Sequence, residues 1–456
     1  MDGILNAFSY VGWVLLAIMI LVFVHELGHF LFAKLFKMRV EKFSVGFPPK
    51  VIGKKIGETE YVLGLTPLGG YVKIVGMVDE SMDAETMSQE PQPWEFRSKP
   101  VWQRIVVIVA GVVFNMILAA MVFVTLKATY GENYVPSLGS VAVADSSIAW
   151  EMGLRTGDEI VAINDREVTE RAGLQAVERS LIESPLVVRV RRGNEDLTFS
   201  GPSDMITRLN RAKGRLGLSY DPAVVGEVTE NSAAESIGML PGDHFLALGA
   251  DSVSYWTGIT AHFAAFEGGT TSVRFIRPDS NQTVPAGAAF LGRREGGNVY
   301  QANVEPNEVD GRYVLGVRQI FRTRQYDLGP AVVAGLKDTW TNTRVIANSL
   351  KRVFTGQENF RENVGGPIMI AKVTKEAADA GAPFFWNIVA MLSITLAIIN
   401  ILPIPALDGG HLVFLIYEGI VRKEPSLKVR MVMQQIGMVV LLAFMVFVIF
   451  NDILKL

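Results

Sequence analysis

Four stretches of the chain are apolar enough to cross a membrane. A helix needs about 20 mainly apolar residues to span a hydrocarbon layer about 30 Å thick. The pattern predicts spans near 9–34, 104–126, 385–402 and 431–450. The first stretch has a long apolar part, no basic leader before it and no small-residue cleavage site after it. We therefore expect it to remain as a span and not to be removed as a signal peptide.

The connections between the predicted spans differ in charge. Basic residues crowd the connection between the first two spans, and Arg422, Lys423, Lys428 and Arg430 fill the connection between the last two. Because basic loops stay on the cytoplasmic side, both connections are predicted to be cytoplasmic. Four spans then place both chain ends and the long segment 127–384 on the opposite side of the membrane.

Composition fits a protein that lies partly in a membrane. Of the 456 residues, 49% are hydrophobic and 20% charged, which is too apolar for an ordinary soluble protein and too polar for a bundle wholly inside the membrane. The net charge of -3 gives no basic face, so no nucleic-acid partner is expected. Since the chain has no cysteine, any bound metal must use histidine and carboxylate ligands.

The first predicted span carries an H-E-x-x-H pattern formed by His25, Glu26 and His29. Four residues make about one helical turn, so both imidazoles project from one face and can hold one ion. Zinc held by two histidines and a carboxylate keeps a fourth position for water, and Glu26 can take a proton from that water as general base. Polar groups inside a span are costly unless they face the bundle interior, which favours a functional site over chance.

A carboxylate ligand is expected at the end of the third span, where the sequence is NILPIPALDGGH, residues 400–411. Two prolines unwind the helix and two glycines permit close backbone approach, so Asp408 can be turned into the bundle. One alternative is that Asp408 only caps a helix. The other is that His411 is the third ligand.

HELGH in the first span together with NILPIPALDGGH in the third resembles the site-2 protease family of intramembrane zinc metalloproteases, and the resemblance covers the whole chain. It implies that His25, His29 and Asp408 bind Zn²⁺ and that Glu26 activates water. It also implies that Asn400, together with the turn at Pro403 and Pro405, holds the unwound substrate.

Two further features of the motifs have more than one interpretation. An interhelical hydrogen bond is the alternative role for Asn400. Gly111 and Asn115 resemble a G-x-x-x-N pattern of the family in the second span, which small-residue helix packing explains nearly as well.

The segment 39–77 alternates short strand-like runs with turns. Residues 61–65 and 69–74 are predicted to form a hairpin, which resembles the membrane-associated β-hairpin of the family. Through Gly70, Tyr71 and Val72, an edge of this hairpin is expected to bind an extended substrate by strand addition. The alternative is an ordinary cytoplasmic hairpin.

An internal repeat fills much of the segment after the second span. Residues 147–158 align with residues 232–243, and each copy reads as a short helix, a G-x-x-x-G-D turn, an apolar strand, a second helix and a further strand. We predict two compact α+β domains that resemble PDZ domains. Whether they bind peptides or only exclude bulky substrates is open.

The predicted fold is a polytopic membrane protein with four transmembrane helices, a membrane-associated β-hairpin region and two external α+β PDZ-like domains. Its segments are the first transmembrane helix with H-E-x-x-H (1–35), the hairpin loop (36–103), the second transmembrane helix (104–126), the PDZ-like domains (136–220 and 221–310), an amphipathic helix and linker (327–383), the third transmembrane helix with the LDG motif (384–411) and the fourth (431–450).

The predicted function is zinc-dependent intramembrane endopeptidase. The resemblance implies cleavage of single-span membrane proteins of the anti-sigma factor type, after an upstream site-1 protease has shortened them, in regulated intramembrane proteolysis and the stress response; signal-peptide remnants are a further substrate class. It also implies a multi-pass protein of the bacterial inner membrane with periplasmic PDZ-like domains. The competing hypothesis is a PDZ-based membrane receptor or chaperone with a structural metal, although structural zinc sites normally have four protein ligands.

Overall fold

The computed structural model describes residues 2–77, 90–134, 141–164, 166–168, 186–212, 216–219, 222–280, 283–309, 311–319, 322–363 and 365–455. The chain forms two compact units. The first consists of Met1–Gly131 and Gln325–Leu456, and the second of Glu132–Arg324.

The N-terminal part of the first unit consists of two long helices with a sheet between them in the chain. The helices are α1 (Asp2–Leu35) and α2 (Val101–Tyr130), and the strands are β1 (Val40–Ile56) and β2 (Thr59–Ile74). A short 3-10 helix at Phe96–Ser98 precedes α2. Neither α1 nor α2 contains a proline, so each can continue unbroken over the length that a span requires.

In the sheet, β1 lies between two parts of β2. Ser44, for example, pairs with Val62 on one side and with Tyr71 on the other. The predicted hairpin between 61–65 and 69–74 is therefore wrong in its pairing, because both runs belong to β2 and each pairs with β1. The turn is instead at Gly57, whose φ of 62° suits a tight hairpin connection. In the described residues, the part of β2 at 70–74 pairs on one side only and forms a free edge.

The second unit contains two hydrophobic cores, one built from residues 141–216 and one from residues 223–315. In chain order the elements are β3 (Glu132–Tyr134), β4 (Ala142–Val143), α3 (Ile148–Glu151), β5 (Glu159–Ile163), β6 (Arg166–Glu167), β7 (Val187–Arg192), β8 (Glu195–Ser200), α4 (Met205–Arg211), β9 (Leu218–Ser219), β10 (Val225–Val228), α5 (Ala233–Ser236), β11 (His244–Leu248), β12 (Asp251–Ser252), α6 (Trp256–Ala264), β13 (Thr271–Pro278), β14 (Ala289–Arg294), β15 (Gly297–Val304), β16 (Asn307–Val309), β17 (Arg312–Val314), β18 (Val317–Gln319) and β19 (Arg322–Arg324). The larger sheets have the orders β6-β5-β7-β8 and β12-β11-β13-β15-β14.

The predicted repeat is visible in the second unit as helix, turn and strand. It comprises α3 and β5 in the first copy, and α5 and β11 in the second. The second copy continues into α6 and β13, as expected. The second helix expected in the first copy falls on residues 169–185, which lie outside the described residues, and the assignment of both copies to PDZ-like domains stays a prediction.

Each copy of the repeat also contains an equivalent ion pair. Arg192 donates hydrogen bonds to Asp158 and to the carbonyl five residues before it, and Arg277 makes the same contacts with Asp243. The Arg277 side chain is 1% exposed, whereas that of Arg192 is 40% exposed. Burial raises the pKa of Asp158, but hydrogen bonds from Arg192 and the backbone outweigh this effect and lower the pKa overall. The pair therefore stabilises the fold at neutral pH, and this contribution is lost as the pH falls through the lowered pKa.

The remainder of the first unit is helical. Its elements are α7 (Leu328–Phe354), α8 (Phe360–Asn363), α9 (Pro367–Ala380), α10 (Ala382–Ile401), α11 (Asp408–Val421) and α12 (Leu427–Lys455). Among the described residues, four helices are long and apolar enough to cross a membrane: Gly12–Leu35 of α1, all of α2, all of α10 and Leu427–Leu454 of α12. The four predicted spans are confirmed as helices, and the protein is a polytopic membrane protein. The sequence pattern did not predict α11 as a separate helix.

The amphipathic helix α7 packs on α2 through small side chains. A side chain at Gly335 would collide with the backbone of Val124, and Lys127 of α2 forms a 3.1 Å ion pair with Asp338. The opposite face of α7 exposes Leu336 and Trp340.

The segment 365–368, at the start of α9, is tied to the end of α12. The buried carboxylate of Asp452 accepts hydrogen bonds from the backbone N–H groups of Gly366, Ile368 and Met369, at 2.8 to 3.1 Å. These N–H groups belong to the first turn of α9 or precede it, where helical partners are missing. Asp452 therefore fixes the start of α9 to the last turn of the fourth span.

The buried ion pair of the second copy gives a stability prediction. We expect Asp243→Asn to lower the free energy of unfolding by about 3–5 kcal/mol, because the buried Arg277 guanidinium loses its anionic partner. Asp158→Asn should cost less, because water can reach Arg192. Hydrogen exchange of β11 and β13 amides in the full-length protein, solubilised in detergent, measures the effect.

The control for this prediction is Asp279→Asn, which removes an ion pair to Arg293 in which both side chains are more than half exposed. It should leave exchange unchanged. Wild-type exchange rates in the Asp243→Asn protein would contradict a stabilising role for the pair.

Candidate metal centre and catalytic cavity

Close packing of α1 on α2 holds the H-E-x-x-H motif in place. A side chain at Gly28 would collide with the backbone carbonyl of Ala110. A side chain at Gly111 would collide with the imidazoles of both His25 and His29. The two glycines therefore allow the motif to lie directly against the backbone of α2.

One face of α2 also contacts Nδ1 of both imidazoles. Nδ1 of His29 lies 2.8 Å from the carbonyl oxygen of Val107, so it donates its proton there. Nδ1 of His25 lies 3.2 Å from the amide of Asn115. A donor role for Nδ1 leaves Nε2 of the same ring free to bind a metal. Val107, Gly111 and Asn115 are four residues apart and therefore share this face of the helix.

Asp408 is brought to the histidines by a tight turn between α10 and α11. Ala406 has a φ of 78°, and the N–H of Leu407 bonds to the carbonyl of Ile404 at 3.1 Å. Side chains at Gly409 or Gly410 would collide with the backbone of this turn. The Asp-Gly-Gly sequence thus lets α11 begin directly against the end of α10 and the turn that follows it, with Asp408 at its first position.

Three donor atoms meet at this point. Oδ2 of Asp408 lies 3.1 Å from Nε2 of His25 and 3.4 Å from Nε2 of His29, and the two Nε2 atoms are 3.2 Å apart. A tetrahedral zinc ion with ligand bonds of about 2.0–2.1 Å separates its ligand atoms by about 3.3–3.4 Å. The three atoms therefore have the spacing of one face of a zinc tetrahedron.

The surroundings of Asp408 also fit a metal. Both histidines are buried, and Oδ2 of Asp408 is buried without a hydrogen bond, although a buried carboxylate oxygen needs a partner. Within the part of the chain that the structure describes, this is the only group of three metal-binding side chains. His411 is not part of the group. No side-chain capping bond is made at the start of α11, where Leu407 occupies the capping position.

A cavity of about 420 Å³ opens beside this group of three side chains. Glu26, His29 and Asp408 line it on one side, and Gly70, Tyr71 and Val72 of the free β2 edge line it on the other. His411 and Gln434 also reach it. The cavity therefore joins the expected general base, two of the expected ligands and the expected substrate-binding strand.

The remaining sequence-predicted site residues are Asn400, Pro403 and Pro405. The amide of Asn400 lies 3.4 Å from Nε2 of His25, beside the candidate metal centre. Pro403 and Pro405 do not line the cavity, and the carbonyl of Pro405 is packed against Gly437 of α12. The roles of all three in substrate binding stay predictions.

The sequence profile of peptidase family M50 matches residues 13–444. The chain belongs to peptidase family M50. It is 30% identical over 462 residues to the regulator of sigma-E protease RseP of Escherichia coli, with 97% of this chain and 98% of that protein covered. It is also 28% identical over 455 residues to a Clostridium perfringens protein named as a zinc metalloprotease, with 98% of both chains covered.

The family settles the class of the enzyme and its cofactor. M50 proteins are zinc-dependent, and the relatives are named as zinc metalloproteases or as regulators of sigma E protease. This M50 protein is therefore a zinc metalloprotease, and its apolar helices make it an intramembrane one. The predicted family, enzyme class and cofactor are confirmed.

Sequence reasoning missed most of what supports the two histidines. Gly28 lies inside the HELGH motif, and Gly111 and Asn115 lie inside the G-x-x-x-N pattern, so the motifs themselves were the available signal. The carbonyl of Val107 left no signal, because any residue type can supply a backbone carbonyl.

The contact at Gly111 gives a prediction. Gly111→Ala should reduce bound zinc by an order of magnitude or more, because the added methyl group displaces both imidazoles and weakens ligand orientation. Zinc content of the purified protein, measured by elemental analysis after dialysis against a weak chelator, reports the effect.

The matched control is Gly12→Ala in α1, where an added methyl group meets nothing within 4 Å. It makes the same chemical change in a spanning helix and should retain zinc. Full zinc content in the Gly111→Ala protein would show that the close contact does not position the histidines.

Proposed function

We propose that His25, His29 and Asp408 hold the zinc ion of this M50 protease and that Glu26 is its general base. The observation that carries the proposal is the spacing of three donor atoms, 3.1 to 3.4 Å apart, at the wall of a cavity that Glu26 also lines. Three protein ligands leave a fourth position towards the cavity, which is the arrangement of catalytic zinc sites.

Glu26 lines the cavity beside the proposed ligands, which supports its role in the hydrolytic step. When bound, zinc lowers the pKa of water in its open position and polarises the carbonyl of the scissile bond. The Glu26 carboxylate accepts the proton of the attacking water and then delivers it to the leaving amine. It is half-buried and follows His25 directly in the chain, so the packing that orients the histidines also orients the base.

The free edge of β2 is the proposed binding strand for the substrate. Gly70 lies next to Glu26, because a side chain at Gly70 would come within 3.3 Å of its Cγ atom. Tyr71 is stacked on Phe47, which fixes the edge from the other face. A peptide that adds to this edge as a strand satisfies its own backbone groups and passes beside Glu26. A helix must therefore unwind before it is cut.

Asn400 is proposed to bind the substrate backbone close to the cut. Its amide is already within 3.4 Å of a proposed zinc ligand, and an amide group can both donate to and accept from a peptide unit. A purely structural contact between the first and third spans is the alternative role of Asn400, and the same distance fits it. Pro403 and Pro405 would act indirectly, through the turn that precedes Asp408.

The proposed substrates are single-span membrane proteins, including anti-sigma factors that a site-1 protease has already shortened, with signal-peptide remnants as a further class. The names of the relatives, as regulators of sigma E protease, support this pathway and a location in the bacterial inner membrane. The basic connections favour a cytoplasmic face for the sheet and a periplasmic face for the second unit. We assign its two cores to PDZ-like domains, which either bind peptides or exclude bulky substrates.

Family membership decides between enzyme and receptor. A receptor or chaperone with a structural metal would need a closed site with four protein ligands. The described residues supply three, and their open side faces a cavity large enough for a peptide segment. The geometry therefore favours catalysis.

The general-base assignment predicts that Glu26→Gln keeps zinc but lowers the rate of cleavage by about 10²-fold or more, because the amide cannot accept the proton. The assay uses the full-length protein in lipid vesicles with a tagged single-span substrate. Glu58→Gln is the control, since this carboxylate lies at the surface in an exposed pair with Lys34. Unchanged cleavage by the Glu26→Gln protein would refute the assignment.

The proposed binding strand predicts where a substrate touches the sheet. A photocrosslinking amino acid at Val72, in the Glu26→Gln background, should crosslink to the single-span substrate. The same label at Ile52, on the opposite and exposed edge of the sheet, should not. Equal crosslinking at both positions, or crosslinking at Ile52 alone, would contradict strand addition at the β2 edge.

A further inference from the structure

The buried side chain of Asn115 has a contact that helix packing does not explain. It is 0% exposed, and its Nδ2 lies 3.2 Å from Nδ1 of His25. Its Oδ1 is buried and has no hydrogen bond. A buried amide oxygen without a partner is costly, so this amide is in an orientation that leaves a polar group unsatisfied.

The chemistry of a zinc ligand requires the opposite orientation of this amide. If Nε2 of His25 binds a metal, it carries no proton, and the proton must then lie on Nδ1. An Nδ1–H group needs an acceptor, which Nδ2 of Asn115 cannot be. A rotation of the amide by about 180° brings Oδ1 to Nδ1 and gives the oxygen the partner that it lacks.

His29 provides the comparison. Its Nδ1 donates to the carbonyl of Val107 on the same face of α2, two helical turns before Asn115. Each ligand imidazole is thus matched to one oxygen-bearing group on this face. The backbone of Asn115 is itself fixed, because the Ser393 hydroxyl of α10 donates to its carbonyl at 2.8 Å.

We propose that Asn115 is a positioning residue that accepts the Nδ1–H proton of His25 through Oδ1 and thereby directs Nε2 at the zinc ion. The inference rests on the proposed function, since it requires His25 to be a ligand. Asn115 links three spans, because it contacts His25 of α1 from α2 and is anchored by Ser393 of α10.

The test measures zinc affinity of the full-length protein in detergent by competition with a chelator of known affinity, together with its thermal unfolding. Asn115→Leu keeps the approximate volume but has no acceptor, and we expect it to bind zinc about 10- to 100-fold more weakly. Asn115→Asp supplies a carboxylate acceptor and should stay within about 3-fold of wild type, in the manner of the carboxylate–histidine–zinc arrangement. If Asn115→Leu does not fold, Asn115→Ala replaces it.

Thr125→Val is the matched control. It removes a hydroxyl at an exposed position of α2, where it bonds only to the carbonyl of Met121, so zinc affinity should not change. Wild-type affinity in Asn115→Leu would overturn the inference, and so would an Asn115→Asp protein as weak as Asn115→Leu. A purely structural role would lower thermal stability in the leucine variant without a selective recovery of zinc affinity by aspartate.

His25→Ala separates this inference from the proposed function. If His25→Ala binds zinc as tightly as wild type, the proposed ligand set is wrong and the role of Asn115 fails with it. If His25→Ala loses zinc while Asn115→Leu does not, only the role of Asn115 is wrong.

Discussion

The structure depends on the cost of placing polar side chains inside an apolar helix bundle. Two imidazoles and a carboxylate buried in such a bundle are expensive unless each is matched to a partner. Here the partners are chiefly one another and the α2 face that contains Val107 and Asn115. Zinc fits this arrangement because it would bind all three groups together, including the buried Asp408 oxygen that makes no hydrogen bond.

Glycines at the contacts between helices, strand and turn make this arrangement sterically possible. Gly28 and Gly111 bring α1 against α2, and Gly409 and Gly410 bring the start of α11 against the preceding turn. Gly70 brings the free strand edge next to Glu26. Each contact is a place where a methyl group would separate two parts of the site. The catalytic chemistry thus rests on backbone approach as much as on the polar residues themselves.

The sequence predicted the parts of the fold that follow from local pattern. The four spans followed from hydropathy, and His25, Glu26 and His29 followed from helical spacing. The pairing of β2 did not, because a short apolar run carries no information about which neighbour it will bond to. The Arg192 and Arg277 ion pairs were missed because each arginine lies 34 residues from its aspartate. Motif spacing located Asp408, but only tertiary packing revealed what Asn115 touches.

The proposed zinc site has three protein ligands, His25, His29 and Asp408, and one open position. The most direct test is a crystal structure of the zinc-loaded protein with anomalous scattering recorded at the zinc edge. A site with these three ligands predicts one strong peak about 2.0–2.2 Å from Nε2 of both histidines and from a carboxylate oxygen of Asp408, with no fourth protein ligand. A peak bound by His411 in place of Asp408, or a site closed by four protein side chains, would contradict it.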